Sequence, residues 1–156
     1  MPDLFPTGYE SEIVTLEDVT DTKETGYRES VFFSPDTNDF VRDGQYRVKS
    51  ATGTEAWEQW CRNCIETEKG VYPCYGDRFG IATREAFAAE TREMAESILT
   101  REICEGLEND PYGRTKYVSD VEFEWVDSDA LEVNVTIVGI TDTTIDITAR
   151  IDVRMR

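Results

Sequence analysis

Between Tyr117 and Val153, apolar side chains recur at every second position in three successive runs. Tyr117, Ser119, Val121, Phe123 and Trp125 alternate with polar neighbours, as do Leu131, Val133, Val135 and Ile137, and then Ile145, Ile147, Ala149, Ile151 and Val153. A period of two places one set of side chains on one face of a strand. The connections Asp127-Ser128-Asp129 and Thr141-Asp142-Thr143 are too short for a crossover helix, so the three strands form an antiparallel meander with one buried face. That face needs a cover, and helical segments upstream must supply it, which makes the fold an α+β layer structure.

Two upstream segments have helical periodicity. Thr52-Gly53-Thr54-Glu55 reads as a capping box, and Ala56, Trp57, Trp60, Cys61, Cys64 and Ile65 follow at helical spacing until Gly70, predicting a helix of about four turns with both tryptophans in the core. A second pattern runs from Thr83 to Leu107 with Phe87, Met94, Ala95, Ile98, Leu99, Ile103 and Leu107 on one stripe; unbroken, it would measure roughly 37 Å. Asn109-Asp110-Pro111-Tyr112-Gly113 ends it, because proline cannot continue a helix. Between the helices, Val71 to Ile81 carries Pro73, Gly76 and Gly80 among three aromatics and reads as a loop ordered by its rings. Phe40-Val41-Arg42 and Gln45-Tyr46-Arg47-Val48 flank Asp43-Gly44, which predicts a β-hairpin with positive φ at the turn. Residues 1–30 are rich in Thr, Asp, Glu, Pro and Gly, with one alternating run, Glu12 to Glu17. They read as an N-terminal arm with at most one strand, ahead of one domain over 31–156.

Charge narrows the function classes. Lys and Arg total 16 against 33 Asp and Glu, a net charge of −17, which repels phosphate backbones and anionic lipid alike, so neither nucleic acid nor membrane is an expected partner. Met1 to Glu10 lacks the pattern of a secretory signal. Cys61-x-x-Cys64 has the spacing of half a zinc site, but Cys74 and Cys104 are single and the chain has no His. Reduced core cysteines, with no metal and no cofactor, are the expectation. Glycoside hydrolysis needs two carboxylates about 5 to 9.5 Å apart, one of them with a raised pKa. Glu85, Glu90, Glu93 and Glu96 recur on one helix face, where a solvated charge run is the simpler reading. No nucleophile elbow, phosphate loop or His base is present, so no catalytic residue is assigned.

Several local strings are more specific. Phe40-Val41-Arg42-Asp43-Gly44, Gly53-Thr54-Glu55-Ala56 with Gln59-Trp60, Glu66-Thr67-Glu68-Lys69-Gly70-Val71-Tyr72, and Tyr75-Gly76-Asp77-Arg78-Phe79-Gly80 together resemble the XkdS-like baseplate proteins of the GPW/gene-twenty-five family over about residues 31 to 153. The resemblance implies a structural, non-enzymatic wedge protein of a contractile phage tail baseplate. Such a protein is present in multiple copies, sits beside the tail tube and starts polymerisation of the tail sheath. Its partners would be the sheath protein and other wedge and tube or hub proteins, in a virion assembled in the host cytoplasm. A bacteriocin or secretion-system baseplate is the alternative setting, and a lysozyme-like glycosidase a more distant one. Many relatives carry a Glu-Pro-Arg triplet before the first meander strand. Here the contiguous triplet is absent, but Pro111 and Arg114 match two of its members, so the resemblance implies a partner contact at these residues. Arg114 is expected either as an exposed residue leading the strand or as a bidentate partner of a carboxylate at an interface.

The terminal strand, about Thr144 to Val153, is the expected docking edge for the sheath. Asp146, Thr148, Arg150, Asp152 and Arg154 lie on its polar face, the first four as the expected contacts, and a last strand often leaves backbone donors and acceptors unpaired. The alternative is a strand that is central or covered by the N-terminal arm.

Overall fold

A computed structural model of the chain describes residues 26–34, 36–37, 39–128 and 130–152. The expected strand at Glu12 to Glu17 lies outside these residues.

The meander is present as β5 (Thr115–Trp125), β6 (Ala130–Gly139) and β7 (Thr144–Asp152), antiparallel in the order β5-β6-β7. Ahead of it come four two-residue strands, β1 (Ser30–Val31), β2 (Phe33–Ser34), β3 (Asp39–Phe40) and β4 (Ser50–Ala51), then the helices α1 (Gly53–Glu66), α2 (Thr83–Phe87) and α3 (Arg92–Glu108). α1 packs on β7 and α3 on β5. Trp57, Cys61, Cys64 and Ile65 of α1 and Leu99, Ile103 and Leu107 of α3 close over Leu131, Val133, Val135, Ile137, Ile147, Ala149 and Ile151, forming one core. The fold is therefore α+β, with both main helices on one sheet face.

The alternation of β6 and β7 keeps one phase through the described strands, so Leu131, Val133, Val135 and Ile137 and then Ile145, Ile147, Ala149 and Ile151 face the helices as expected, while Val153 and Arg154 lie outside the described residues. β5 departs from it. Its pairing with β6 shifts between Thr115 and Tyr117 and again between Val118 and Asp120. The second bulge at Ser119 makes Val118, rather than Tyr117, the residue packed against the core, and Tyr117 is exposed. An extra residue reverses the facing of everything beyond it.

α1 begins as expected, with the Glu55 carboxylate accepting the Thr52 N–H at 3.3 Å. It ends at Glu66 rather than near Gly70, because the Thr67 carbonyl leaves the helix to accept the Ile81 N–H at 2.9 Å and the Lys69 N–H returns to the Ile81 carbonyl at 3.0 Å. Gly80 makes that crossing possible: its φ is 93°, and a Cβ there would lie 2.7 Å from the Thr67 carbonyl oxygen. The loop is ordered by its rings, with Tyr72–Tyr75, Tyr75–Phe79 and Phe79–Trp60 centroids 5.9, 4.5 and 5.8 Å apart. Trp57 is fully buried, whereas Trp60 is only partly so.

The second helical pattern is two helices, not one. Thr91 takes an extended conformation and its hydroxyl accepts the Met94 N–H at 3.2 Å, which starts α3 afresh. Met94, expected on the apolar stripe, is 55% exposed, while Glu102 is buried at 6%.

The expected hairpin closes around Asp43, but the residue with positive φ is Tyr46 (63°), not Gly44. The Asp43 carbonyl accepts the Tyr46 N–H at 3.0 Å, and its side chain accepts the Gln45 and Arg47 N–H groups. This is a turn followed by a left-handed residue, which shifts the strained position past the glycine.

Candidate functional site

In an antiparallel pair, residues alternate between turning their backbone groups toward the neighbouring strand and away from it. Gly139 donates its N–H to the Thr143 carbonyl at 2.9 Å, and counting along the register from that pair puts Thr144, Asp146, Thr148 and Arg150 in the outward class. The Thr148 carbonyl confirms the phase by accepting the Arg62 guanidinium, Nη1 to O at 3.0 Å, from α1. Among the described residues β7 pairs with β6 alone, so within the described sheet it is an edge strand whose backbone donors and acceptors alternate outward; residues 1–25 of the arm expected as an alternative cover lie outside the described residues.

The side chains of Asp146, Thr148 and Arg150 are exposed on the sheet face away from the helices. Asp146 accepts the Thr136 hydroxyl at 2.7 Å, and Thr148 donates to the Asn134 side-chain oxygen at 2.7 Å. Arg150 lies 3.9 Å from Asp152 and across the register from Glu132. With Asp120, Glu122 and Glu124 of β5, this face holds, among the described residues, six carboxylates against Arg150.

Pro111 is exposed, but Arg114 is buried, at 4%. Its fork meets the Asp110 carboxylate, Nε to Oδ2 at 2.7 Å and Nη2 to Oδ1 at 3.0 Å. Asp110 also accepts the backbone N–H groups of Arg114 and Tyr112, and the guanidinium lies 5.4 Å from the Trp60 ring and 5.1 Å from Tyr112. Arg114 is thus neither an exposed leading residue nor a free fork: its carboxylate partner lies four residues earlier in the same chain. The site residues fall in two places, the β7 edge and the Asp110–Arg114 turn.

The acidic helix face does not form a carboxylate pair set apart from solvent. Glu85, Glu90 and Glu93 are exposed, and Glu96 accepts the Trp125 indole N–H at 2.7 Å. Glu102, which the pattern did not single out, accepts from Lys69 at 3.1 Å and from Arg101 at 3.2 Å, tying the loop after α1 to α3. Burial alone would raise its pKa, but these donors and the Ala82 N–H outweigh burial and hold it below the usual value. Cys61 and Cys64 are buried and Cys104 partly so, and burial raises all three thiol pKa values. Cys74 departs from the core expectation and lies at the surface. Among the described residues no group of His, Cys, Asp and Glu is arranged to hold a metal ion, and no helix is long and apolar enough to cross a membrane.

A family model for the contractile injection system sheath initiator matches residues 29–142, from β1 to the β6–β7 turn. The chain belongs to the contractile injection system sheath initiator family. No curated protein matches it. The family match takes in α1, α3, β5 and β6 and ends at Asp142, one residue short of β7, so Pro111 and Arg114 lie inside it and the edge strand outside it.

Proposed function

We propose that this sheath initiator is a non-catalytic wedge component of a contractile phage tail baseplate, and that the sheath starts by pairing with the outward edge of β7. Membership of the family supports the role, and the observation that carries the mechanism is the regular run of outward backbone groups from Thr144 to Arg150. An added strand would satisfy these groups by main-chain hydrogen bonds, with specificity set by alternating side chains, among them Asp146, Thr148, Arg150 and Asp152. Other wedge and tube or hub proteins are the remaining partners. At the second place, the Asp110–Arg114 pair fixes a turn that presents Pro111 and the exposed Tyr112. Arg114 therefore serves a partner by holding that turn and not by direct contact.

Thr148→Pro tests the edge. The Thr148 N–H faces away from β6, so its loss removes a donor offered to the partner and none used within the sheet. The variant should keep its circular dichroism spectrum and fail to support sheath assembly on baseplates. Normal assembly with a folded Thr148→Pro protein would sink the proposal.

A further inference from the structure

Beside the β7 edge runs a groove of about 260 Å³. One wall is α1, with Glu55, Glu58, Arg62 and Glu66; the other is Phe32 and Phe33. The walls are joined by Gln59, whose side chain accepts the Phe33 N–H at 2.9 Å and donates to the Val31 carbonyl at 3.0 Å. Arg62 belongs to both features. It lines the groove, places Nη2 3.9 Å from the Glu58 carboxylate and gives Nη1 to the Thr148 carbonyl on the edge.

Three carboxylates and one guanidinium leave the groove net negative, and two phenyl rings supply its apolar surface. The opposite side of the same edge carries the sheet face on which, among the described residues, six carboxylates stand against Arg150. A strand laid along β7 would therefore have negative charge on both of its faces.

We propose that the β7 edge and this groove form one recognition site for an extended, basic polypeptide segment, whose Lys or Arg side chains lie along the row of Glu55, Glu58 and Glu66 that α1 spreads over about 16 Å, with an apolar side chain on the same face set against Phe32 and Phe33. The inference rests on edge pairing and adds the chemistry of the partner. Side chains two apart in a strand share a face and stand about 7 Å apart, a spacing that lets both reach one groove. Arg62 indicates the preference: the chain's own cation already bridges an edge carbonyl and Glu58. On docking, the partner's backbone N–H takes the Thr148 carbonyl and its cation takes Glu58, so Arg62 is exchanged for equivalent bonds and no buried group is left unpaired. Until then Arg62 occupies the middle of the edge and opposes pairing with unsuitable strands.

The test uses the full chain and two fluorescein-labelled nine-residue peptides. One alternates Thr with Ile and Arg; the other replaces each Arg by Glu. Binding is read by fluorescence anisotropy. The Arg peptide should bind at least about tenfold more tightly than the Glu peptide, because like charges facing across an interface oppose association. Glu58→Gln with Glu66→Gln should remove most of that preference. The pair Glu90→Gln with Glu93→Gln, which changes net charge equally but on the α3 side, should leave it intact. Equal weakening by both pairs would reduce the effect to overall charge and overturn the site, as would absence of binding. Equal binding of the two peptides, abolished in both cases by Thr148→Pro, would leave edge pairing standing and overturn the basic-segment inference.

Discussion

Removal of the Asp110 carboxylate should be among the most damaging single changes in this chain. Its side chain has 0% exposure and that of Arg114 4%, so Asp110→Ala strands a guanidinium in the interior with only the Trp60 and Tyr112 rings beside it. Breaking a buried pair from one side costs about 3–5 kcal/mol, and within that loss the N–H groups of Tyr112 and Arg114 lose their acceptor at roughly 1 kcal/mol each. With a urea m-value of about 2 kcal/mol/M, a loss near 4 kcal/mol moves the midpoint by about 2 M. Arg114→Met in the Asp110→Ala background removes the orphaned charge while keeping the stem's contacts, so the double variant should recover about half of that shift, the unmet N–H groups accounting for the rest. Equilibrium urea unfolding followed by tryptophan fluorescence measures both. A single variant within about 1 kcal/mol of the parent, or a double variant no better than the single, would refute the assignment of the penalty to a stranded charge. Arg114→Met alone that spared stability but blocked baseplate assembly would instead make this arginine a direct partner contact.

Two further outcomes follow from buried contacts. Gly139→Ala should destabilise by about 1–3 kcal/mol through overpacking, since its Cβ would meet the Tyr27 hydroxyl and lie 2.8 Å from Trp57 Cη2; a thermal melt equal to the parent's would refute this. Glu102, held below the ordinary glutamate value in the fold, contributes stability that is complete above the unfolded pKa of about 4.3 and is lost as pH falls through the lowered folded value. Glu102→Gln should therefore flatten the acid limb of a urea-midpoint series in that window, and an unchanged slope would show that other carboxylates set it.

Legibility followed continuity of pattern. The facing of Leu131 to Ile137 and of Ile145 to Ile151 could be read from the sequence because nothing interrupts their alternation. Tyr117 was misplaced because a bulge adds a residue without any compositional sign: Ser119 looks like any polar strand position. The break between α2 and α3 is equally quiet, resting on a Thr91 hydroxyl in a stretch of good helix formers, Ala88-Ala89-Glu90. The Arg114 environment did carry a signal, an aspartate four residues earlier across a Pro-Tyr-Gly turn, which places a carboxylate and a guanidinium within reach. Glu102 carried none, because its burial depends on Lys69, thirty-three residues away in sequence.

The two edges of the sheet are not equivalent, and the difference bears on which one a partner would use. The free side of β5 belongs to a strand with two register shifts, at Lys116 and Ser119, and such bulges bend the strand and interrupt the even spacing that an incoming strand must match. β7 has no shift from Thr144 to Asp152. Its protection is of another kind: one guanidinium on one carbonyl, held by a side chain that can rotate away without disturbing the core. A bulge is a permanent feature of the backbone, whereas a side-chain hydrogen bond of this sort contributes about 1 kcal/mol or less when exposed and exchanges readily. Under the edge pairing proposed above, the edge that takes a strand would need protection of the second kind and the edge that does not, protection of the first kind. That is the distribution found on β7 and β5.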